Sequence, residues 1–457
     1  MRHLPRRGLV WFRRDLRLAD NPAWAAATAD HAEVTALYVL DDRLLRSAGP
    51  LRRRQLVAEL HALDAALARH GGRLLVRRGD PTAVVPREAD RRGVHRVHWN
   101  ADVTPYAAAR DGAVRVALDR EPATFHGHLV HRPGALLTGA GRVPRVFGAF
   151  HRRWAATPWD GWPVPGDAAL DDDPGDGLPP LDGEPPRPPG EDAAHATLRR
   201  FLDGPVDRYR HGRDDLAHPA ASALSVALRF GTISPRLVAE AVGETGDDRR
   251  AFRRQLAWRD WYAHLLAETP SLPRRALRPE YDRIAWRADP AGLAAWREGR
   301  TGYPLVDAGM RELAAAGTMP NRVRMVTASF LVKDLLIDWR AGERHFRRLL
   351  LDGDVPQNVG NWQWVAGTGP DAAPWFRVFN PVTQSRAHDP GGRYLRRWLP
   401  ELSGLDDTAI HAPWEAPPAA LAAAGVVLGD TYPPPLVDHA AARARALAAY
   451  RRARETA

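Results

Sequence analysis

At 457 residues the chain exceeds what one ordinary hydrophobic core supports, so two or three domains are expected. With 44% hydrophobic residues and no apolar run near the ~20 residues of a membrane helix, it reads as globular; the absence of cysteine excludes disulfides, thiolate nucleophiles and cysteine-ligated metals, and no metal site is expected. The formal charge of +10 favours a polyanionic partner, but Lys333 is the only lysine among 65 basic residues, and an Arg-, Ala-, Gly- and Pro-heavy composition accounts for that charge equally well.

The opening residues are basic but are interrupted by Arg and Asp before any signal-peptide core could form, so a cytoplasmic location is expected. From Gly8 to about Leu129, the apolar runs Gly8 to Phe12, Val34 to Leu40, Arg73 to Val76 and Arg96 to Trp99 alternate with helical stretches such as Leu51 to His70. That alternation predicts an α/β N-terminal domain, residues 1–130, built on a doubly wound parallel sheet. No G-x-G-x-x-G follows the first run, which argues against a standard dinucleotide-binding domain.

Residues 131–191 are expected to form a linker. Within them, Thr157 to Gly190 is dominated by Pro, Gly and Asp and cannot bury enough apolar area to offset chain entropy. Beyond it, residues 192–457 are expected to be all-α, with apolar residues at three- and four-residue spacing as in Met325, Ser329, Leu331, Leu335, Leu336 and Trp339. The run from Asn321 to Gln384 stands out. It places four tryptophans among Asn, Gln and Asp in a segment too polar for an ordinary core, which suggests a built site.

Four groups of residues, spread over nearly the whole chain, carry recognisable motifs. The first comprises Val10 to Leu18 with Asp20-Asn21-Pro22, followed by His98-Trp99-Asn100, Asp102, Pro105-Tyr106 and Arg110-Asp111. The second is the series Tyr209, Arg213, Ser222, Leu224, Ser225, Gly231, Ser234, Pro235, Arg236. Gln255 to Tyr262 and the run from Asn321 complete the pattern, and together these segments resemble the photolyase/cryptochrome family, most nearly its bacterial class I cyclobutane pyrimidine dimer enzymes.

The resemblance implies an α/β antenna domain joined by the long linker to a helical domain that binds FAD and DNA. The activity it implies is a carbon–carbon lyase reaction, the light-dependent repair of cyclobutane pyrimidine dimers by electron transfer from reduced FAD. A second, antenna chromophore is also implied, either an 8-hydroxy-5-deazaflavin or methenyltetrahydrofolate. UV-damaged DNA is the expected partner, with no membrane, no obligate protein partner and a monomeric state.

By the same resemblance, Tyr209, Ala221, Ser222, Ala223, Leu224, Ser225, Arg324, Asp352, Gly353, Asp354 and Asn358 bind FAD, with Asn358 facing flavin N5 and Arg324 paired with Asp352. Ala221 departs from the family's Thr, so one hydroxyl contact is either missing or replaced by backbone. Trp286, Trp339 and Trp362 correspond to the electron relay, from surface to flavin. Arg213, Gln255, Trp258, Arg259, Tyr262, Asn321, Arg322, Met325 and Gln384 map to the DNA and lesion surface.

Gln255 stands where cyclobutane-dimer enzymes usually carry Glu, and Gln is common there in (6-4) photolyases. Asn321 and Met325 occupy the places where (6-4) enzymes have a histidine pair, and neither supplies an acid. The two matches outweigh the one departure, and cyclobutane dimers are the expected substrate. The alternatives are a cryptochrome-type blue-light photoreceptor and a (6-4) photolyase. Signalling members often carry a long C-terminal extension, whereas this sequence closes in an Arg/Ala helix about twenty residues after Val437.

Overall fold

Continuous apolar runs are the signature of strands covered on both faces, and here they form the centre of a sheet. Strands β1 (Arg7–Phe12), β2 (Glu33–Leu40), β3 (Leu74–Arg78), β4 (Arg96–Asn100) and β5 (Ala123–Phe125) are arranged in the order β3-β2-β1-β4-β5, every pairing parallel. The computed structural model describes residues 7–159, 161, 164–371, 374 and 376–455. The chain forms two compact units: one takes in everything up to Asp207 together with Ser222–Pro270, the other Arg208–Ala221 together with everything from Ser271.

In the first unit, Leu9, Trp11, Leu37, Leu75, Val97 and Trp99 project from neighbouring strands into one buried cluster with Val84, Val85 and Val114 of the covering helices. Those helices start where side-chain caps precede proline: Asn21 before Pro22, Asp80 before Pro81 and Thr104 before Pro105. Each cap accepts a backbone N–H of the first turn, while proline occupies a position whose N–H has no helical partner.

The Pro-, Gly- and Asp-rich stretch does more than span a gap. Its Ala169–Leu170 pair forms a sixth strand, β6, parallel to the start of β2, and Arg73 N–H donates to Asp171 O beside it.

A long helix, Gly246–Glu268, belongs to the same unit and is fastened by Asp260, which is fully buried. Its carboxylate accepts the backbone N–H groups of Val130 and His131 and the indole N–H of Trp154. Three donors on one buried carboxylate meet the requirement that a desolvated charge be hydrogen-bonded.

The second unit is helical. Asn321–Ser329 runs into a π-helical turn, Phe330–Asp334, and the helix then breaks at Leu336, whose φ is 53°. A new helix, Trp339–Leu349, begins behind an Asp338 cap, so the helical spacing through 325–339 is divided between two helices. Next comes Val355–Ala366, and Gln363 on it pins the 272–277 segment: its amide donates to the carbonyls of Leu272 and Arg275, and its oxygen accepts Leu277 N–H.

Lys333 lies in the π-turn at 1% exposure. Its ammonium sits 3.5 Å from the centre of the Tyr450 ring and donates to Ala366 O at 3.3 Å. Burial pushes its pKa down to about 7 from 10.5. Between those values the unfolded chain binds more protons than the folded one, so the penalty on folding is full below pH 7 and fades as pH rises toward 10.5. Lys333→Met is therefore expected to stabilise the protein at pH 7 by about 2 kcal/mol. Ala366 O keeps the Tyr450 hydroxyl as donor. Denaturant titrations of both proteins at pH 7 and pH 9.5 should show that advantage shrinking at the higher pH.

Candidate active site

The sharp turn after Asp352 and the two helices around it shape an open cavity in the helical unit. Its wall includes Asn321, Arg324 and Met325 from one helix, Asp352, Gly353 and Asp354 from the turn, and Asn358 and Trp362 from the Val355–Ala366 helix. Residues assigned from sequence to flavin, lesion and relay thus line one space. Phe346, Leu350 and Val365 supply apolar wall; Gln357 and Asn361 add amides. Apolar faces with a few convergent polar groups suit a flat heteroaromatic ring with a hydrogen-bonding edge.

Arg324 is fixed from two sides. Its Nε donates to Met319 O at 2.8 Å and its terminal nitrogen to Asp352 Oδ2 at 3.0 Å, so the charge pair expected from sequence is formed. Asn321 Nδ2 lies 3.6 Å from Met325 Sδ, one helical turn along.

Asn358 and Trp362, four residues apart, share the helix face that meets Trp339–Leu349. There Asn358 Nδ2 donates to both the carbonyl and the carboxylate of Glu343, each at 2.9 Å. Glu343 is 2% exposed; burial raises its pKa, opposed by Arg347, Asn358 and Arg344. Beside it, Gly342 has no side chain because Trp362 fills the space: a Cβ there would overlap Trp362 Cη2 and lie 2.6 Å from Leu331 Cδ2.

The rings of the expected relay are all in this unit. Trp362 meets Phe346 at 5.0 Å and Trp296 at 6.2 Å between centroids, and Trp286 meets Tyr450 at 6.2 Å edge-on. Trp339, buried at 1% exposure, meets no aromatic ring among the described residues, so the three indoles are not in ring-to-ring contact. Trp339 does stand one turn before Gly342, whose backbone abuts Trp362.

Elsewhere in the unit, Arg322 donates to Asp214 at 2.7 Å and to Gln384 at 3.4 Å, which joins two residues assigned to DNA. Arg213 lies over the Tyr209 ring at 5.6 Å. Ala221 closes the short segment that carries both.

In the first unit, Ser222 Oγ accepts Leu224 N–H at 3.3 Å, and Ala223 has φ of 56°, a left-handed conformation in which a β-carbon is strained. Ser225 then opens a short helix, Ser225–Phe230. Such strain at a non-glycine residue accompanies functional loops, here the loop that the family resemblance assigns to FAD.

The Gly246–Glu268 helix carries Gln255, Trp258, Arg259 and Tyr262. Trp258 stacks on Phe147 with centroids 3.8 Å apart, and Tyr262 lies 5.5 Å from its ring. Gln255 Nε2 donates to Ala251 O at 3.4 Å. Arg259 donates to the carbonyls of His128 and Leu228, so its guanidinium ties segments of its own unit together.

At the carboxyl ends of β1 and β4, where strand order reverses, open parallel sheets leave a ligand crevice. Arg13 pairs with Asp111 there at 2.7 Å, Arg14 with Asp102 at 3.5 Å, and Arg13 and Arg110 lie over the Trp11 ring.

Three residues of the helical site escape motif reading. Glu343 and Gly342 sit in an ordinary-looking amphipathic helix, and Trp296 in an Ala-rich one, its indole N–H donating to Thr327 O at 3.0 Å. The one usable signal was the glycine inside a helix, which marks a close approach when it is not a cap.

The first unit carries a parallel α/β sheet, and the second is a helical unit with a cavity of mixed apolar and polar lining. The model of the "DNA photolyase" family matches residues 8–166 and that of the "FAD binding domain of DNA photolyase" residues 252–452. The chain is 41% identical to a deoxyribodipyrimidine photo-lyase of Agrobacterium fabrum, over 98% of each chain. It is 44% identical to one of Streptomyces griseus, over 96% of this chain and 97% of the relative. A crystal structure of a bacterial class III photolyase from Agrobacterium tumefaciens matches with TM-score 0.91 at 39% identity, over 99% of this chain and 98% of that one. The chain belongs to the DNA photolyase family.

Proposed function

We propose that this protein is a deoxyribodipyrimidine photo-lyase that repairs cyclobutane pyrimidine dimers in DNA with light. The observation that carries the reading is the single cavity in which Arg324, Asp352, Asn358 and Trp362 meet Asn321 and Met325, in a chain that matches photo-lyases of that name nearly end to end. Bound reduced FAD supplies a light-excited electron to the lesion and recovers it, with no net redox change.

The residues present fit that group. Arg324, held by Asp352 and by Met319 O, puts a fixed positive charge beside the ring site and favours negative charge there. Asp354 and Gly353 shape the turn, and Asn358 offers an amide that cannot deliver a proton. Tyr209, Ala221, Ser222, Ala223, Leu224 and Ser225 are proposed to hold the remainder of the cofactor, the strained Ala223 presenting backbone N–H groups to its diphosphate. Trp362, Trp339 and Trp286 are proposed to carry the hole outward when oxidised flavin is activated.

On the DNA side, Trp258 is proposed to offer a flat face to an extruded pyrimidine, while Tyr262, expected from sequence at the lesion surface, is 3% exposed and packs behind Trp258 instead; photolyases are among the known base-flipping enzymes. Arg213, Arg322 and Gln384 are proposed to meet the phosphate backbone, which gives affinity that falls with salt and carries no sequence information. Arg259, tied to two carbonyls, supports this surface from behind. We read residues 1–130 as the antenna domain, 131–191 as the linker and 192–457 as the part that binds FAD and DNA. The antenna chromophore, a deazaflavin or a folate, is proposed to bind at the carboxyl ends of the strands where their order reverses. No helix among the described residues is long and apolar enough to cross a membrane; a cytoplasmic monomer without an obligate partner is the proposed state.

The test is blue-light repair by chemically reduced protein of two matched oligonucleotides, one with a cyclobutane thymine dimer and one with a (6-4) product. Restoration of the first alone is expected. Restoration of the second alone would mean that Gln255 dominates lesion choice, and bound flavin with neither lesion restored would replace the repair reading with a photoreceptor.

A further inference from the structure

We infer that Asp214 is a specificity-determining residue: it tethers Arg322 beside the cavity, so that the guanidinium serves only the DNA backbone flanking a base drawn out of the duplex. This deepens the DNA reading and rests on it for the identity of the polyanion.

Three segments of the helical unit converge on Arg322. It stands in the first turn of the Asn321–Ser329 helix, next to Asn321 of the cavity wall. Its Nη2 donates to Asp214 Oδ2 at 2.7 Å, and its Nη1 to Gln384 Oε1, on the Pro381–His388 helix, at 3.4 Å. Asp214 is placed by its neighbours: Leu216 N–H donates to His388 O at 2.9 Å, and the Asp215 carboxylate accepts the N–H groups of Ala217 and His218. Asp215 thus closes the turn, while the carboxylate of Asp214 goes to Arg322.

Folding gains little from this arrangement. A cation in the first turn opposes the helix dipole, and Arg322 Nε is buried with no acceptor among the described residues. An ion pair whose side chains are 21% and 25% exposed is also screened by solvent. What the pair does is fix a charge in place. A long arginine free to swing follows a DNA backbone of any shape, whereas one held by a carboxylate meets only a phosphate brought to it. A straight duplex offers backbone contacts alone; one opened at an extruded base brings its flanking phosphates to the cavity rim.

The test is binding in the dark of FAD-loaded protein to two fluorescent duplexes of one sequence, one carrying a single cyclobutane thymine dimer, followed by anisotropy over a range of salt. Asp214→Asn, nearly the same in shape but uncharged, should tighten the undamaged duplex about tenfold, the worth of one charge-assisted contact, and the dimer duplex by no more than about twofold. The slope of log affinity against log salt should steepen by about 0.9 for undamaged DNA only, as one further phosphate is neutralised. Added to Arg322→Gln, the Asp214→Asn change should alter neither duplex.

Equal tightening of both duplexes, or unchanged binding of the undamaged one, overturns the inference, and a preference of the unmutated protein for the dimer then leaves the repair reading standing. If the unmutated protein binds both duplexes alike, the repair reading falls and takes the inference with it. Should Asp214→Asn fail to fold, Arg322→Gln alone decides: a loss confined to the dimer duplex supports the tether, and an equal loss on both overturns it.

Discussion

Protein carrying Trp362→Phe is expected to take up FAD, to repair dimers once reduced chemically, and to lose light-driven reduction of its bound flavin. The argument turns on what the ring does twice. As packing, Trp362 fills the space over Gly342 and touches Phe346 and Trp296. Phenylalanine restores most of that contact at a loss of about 1–2 kcal/mol from the small cavity left behind.

As chemistry, indole can be oxidised transiently and phenyl cannot, so the variant should pass no hole along the proposed relay from the cavity wall to Trp339 and Trp286. Absorbance of oxidised flavin during blue illumination with an external reductant measures the loss, and repair by dithionite-reduced protein measures what is retained. If the pre-reduced variant were equally dead, the substitution would have damaged the flavin site and the relay assignment would fall.

One added methyl group at Gly342 is expected to do more harm than the loss of an indole ring. The Cβ of Gly342→Ala would overlap the Trp362 ring and crowd Leu331, both buried, with no flexible side-chain end to give way. Overpacking of this kind costs about 1–3 kcal/mol. Here it pushes apart the helices that bring Glu343 to Asn358, so weakened flavin retention should accompany lost stability. Flavin absorbance per protein after gel filtration and the denaturant midpoint check the two effects. Gly342→Ala combined with Trp362→Phe should recover part of both, because the atoms that collide belong to the benzene half of the indole.

Much of this was legible before any coordinates. The four long strands were readable because burial on both faces turns a strand into an apolar run, and the helices between them because stretches such as Leu51 to His70 separate those runs. The Arg324–Asp352 pair was readable only through the family resemblance, because the same segment offers several other arginines and aspartates as partners. Strand β6 was not: two residues in a Pro- and Asp-rich stretch have no propensity of their own and take their pairing from the edge of β2. The break at Leu336 was hidden because leucine signals helix, and its left-handed φ is imposed by surrounding packing. Glu343 was invisible because a buried carboxylate and an exposed one are spelled alike, and only the neighbouring helix tells them apart.

The solitary lysine has a practical consequence. Its amine lies at 1% exposure under the Tyr450 ring, so the folded chain offers acylating reagents no lysine side chain on its surface. Acylation at Lys333 then becomes a clock for opening of the π-turn and the helices around it. Peptide mass spectrometry could follow that opening at a single residue, without a probe having to be engineered into the protein.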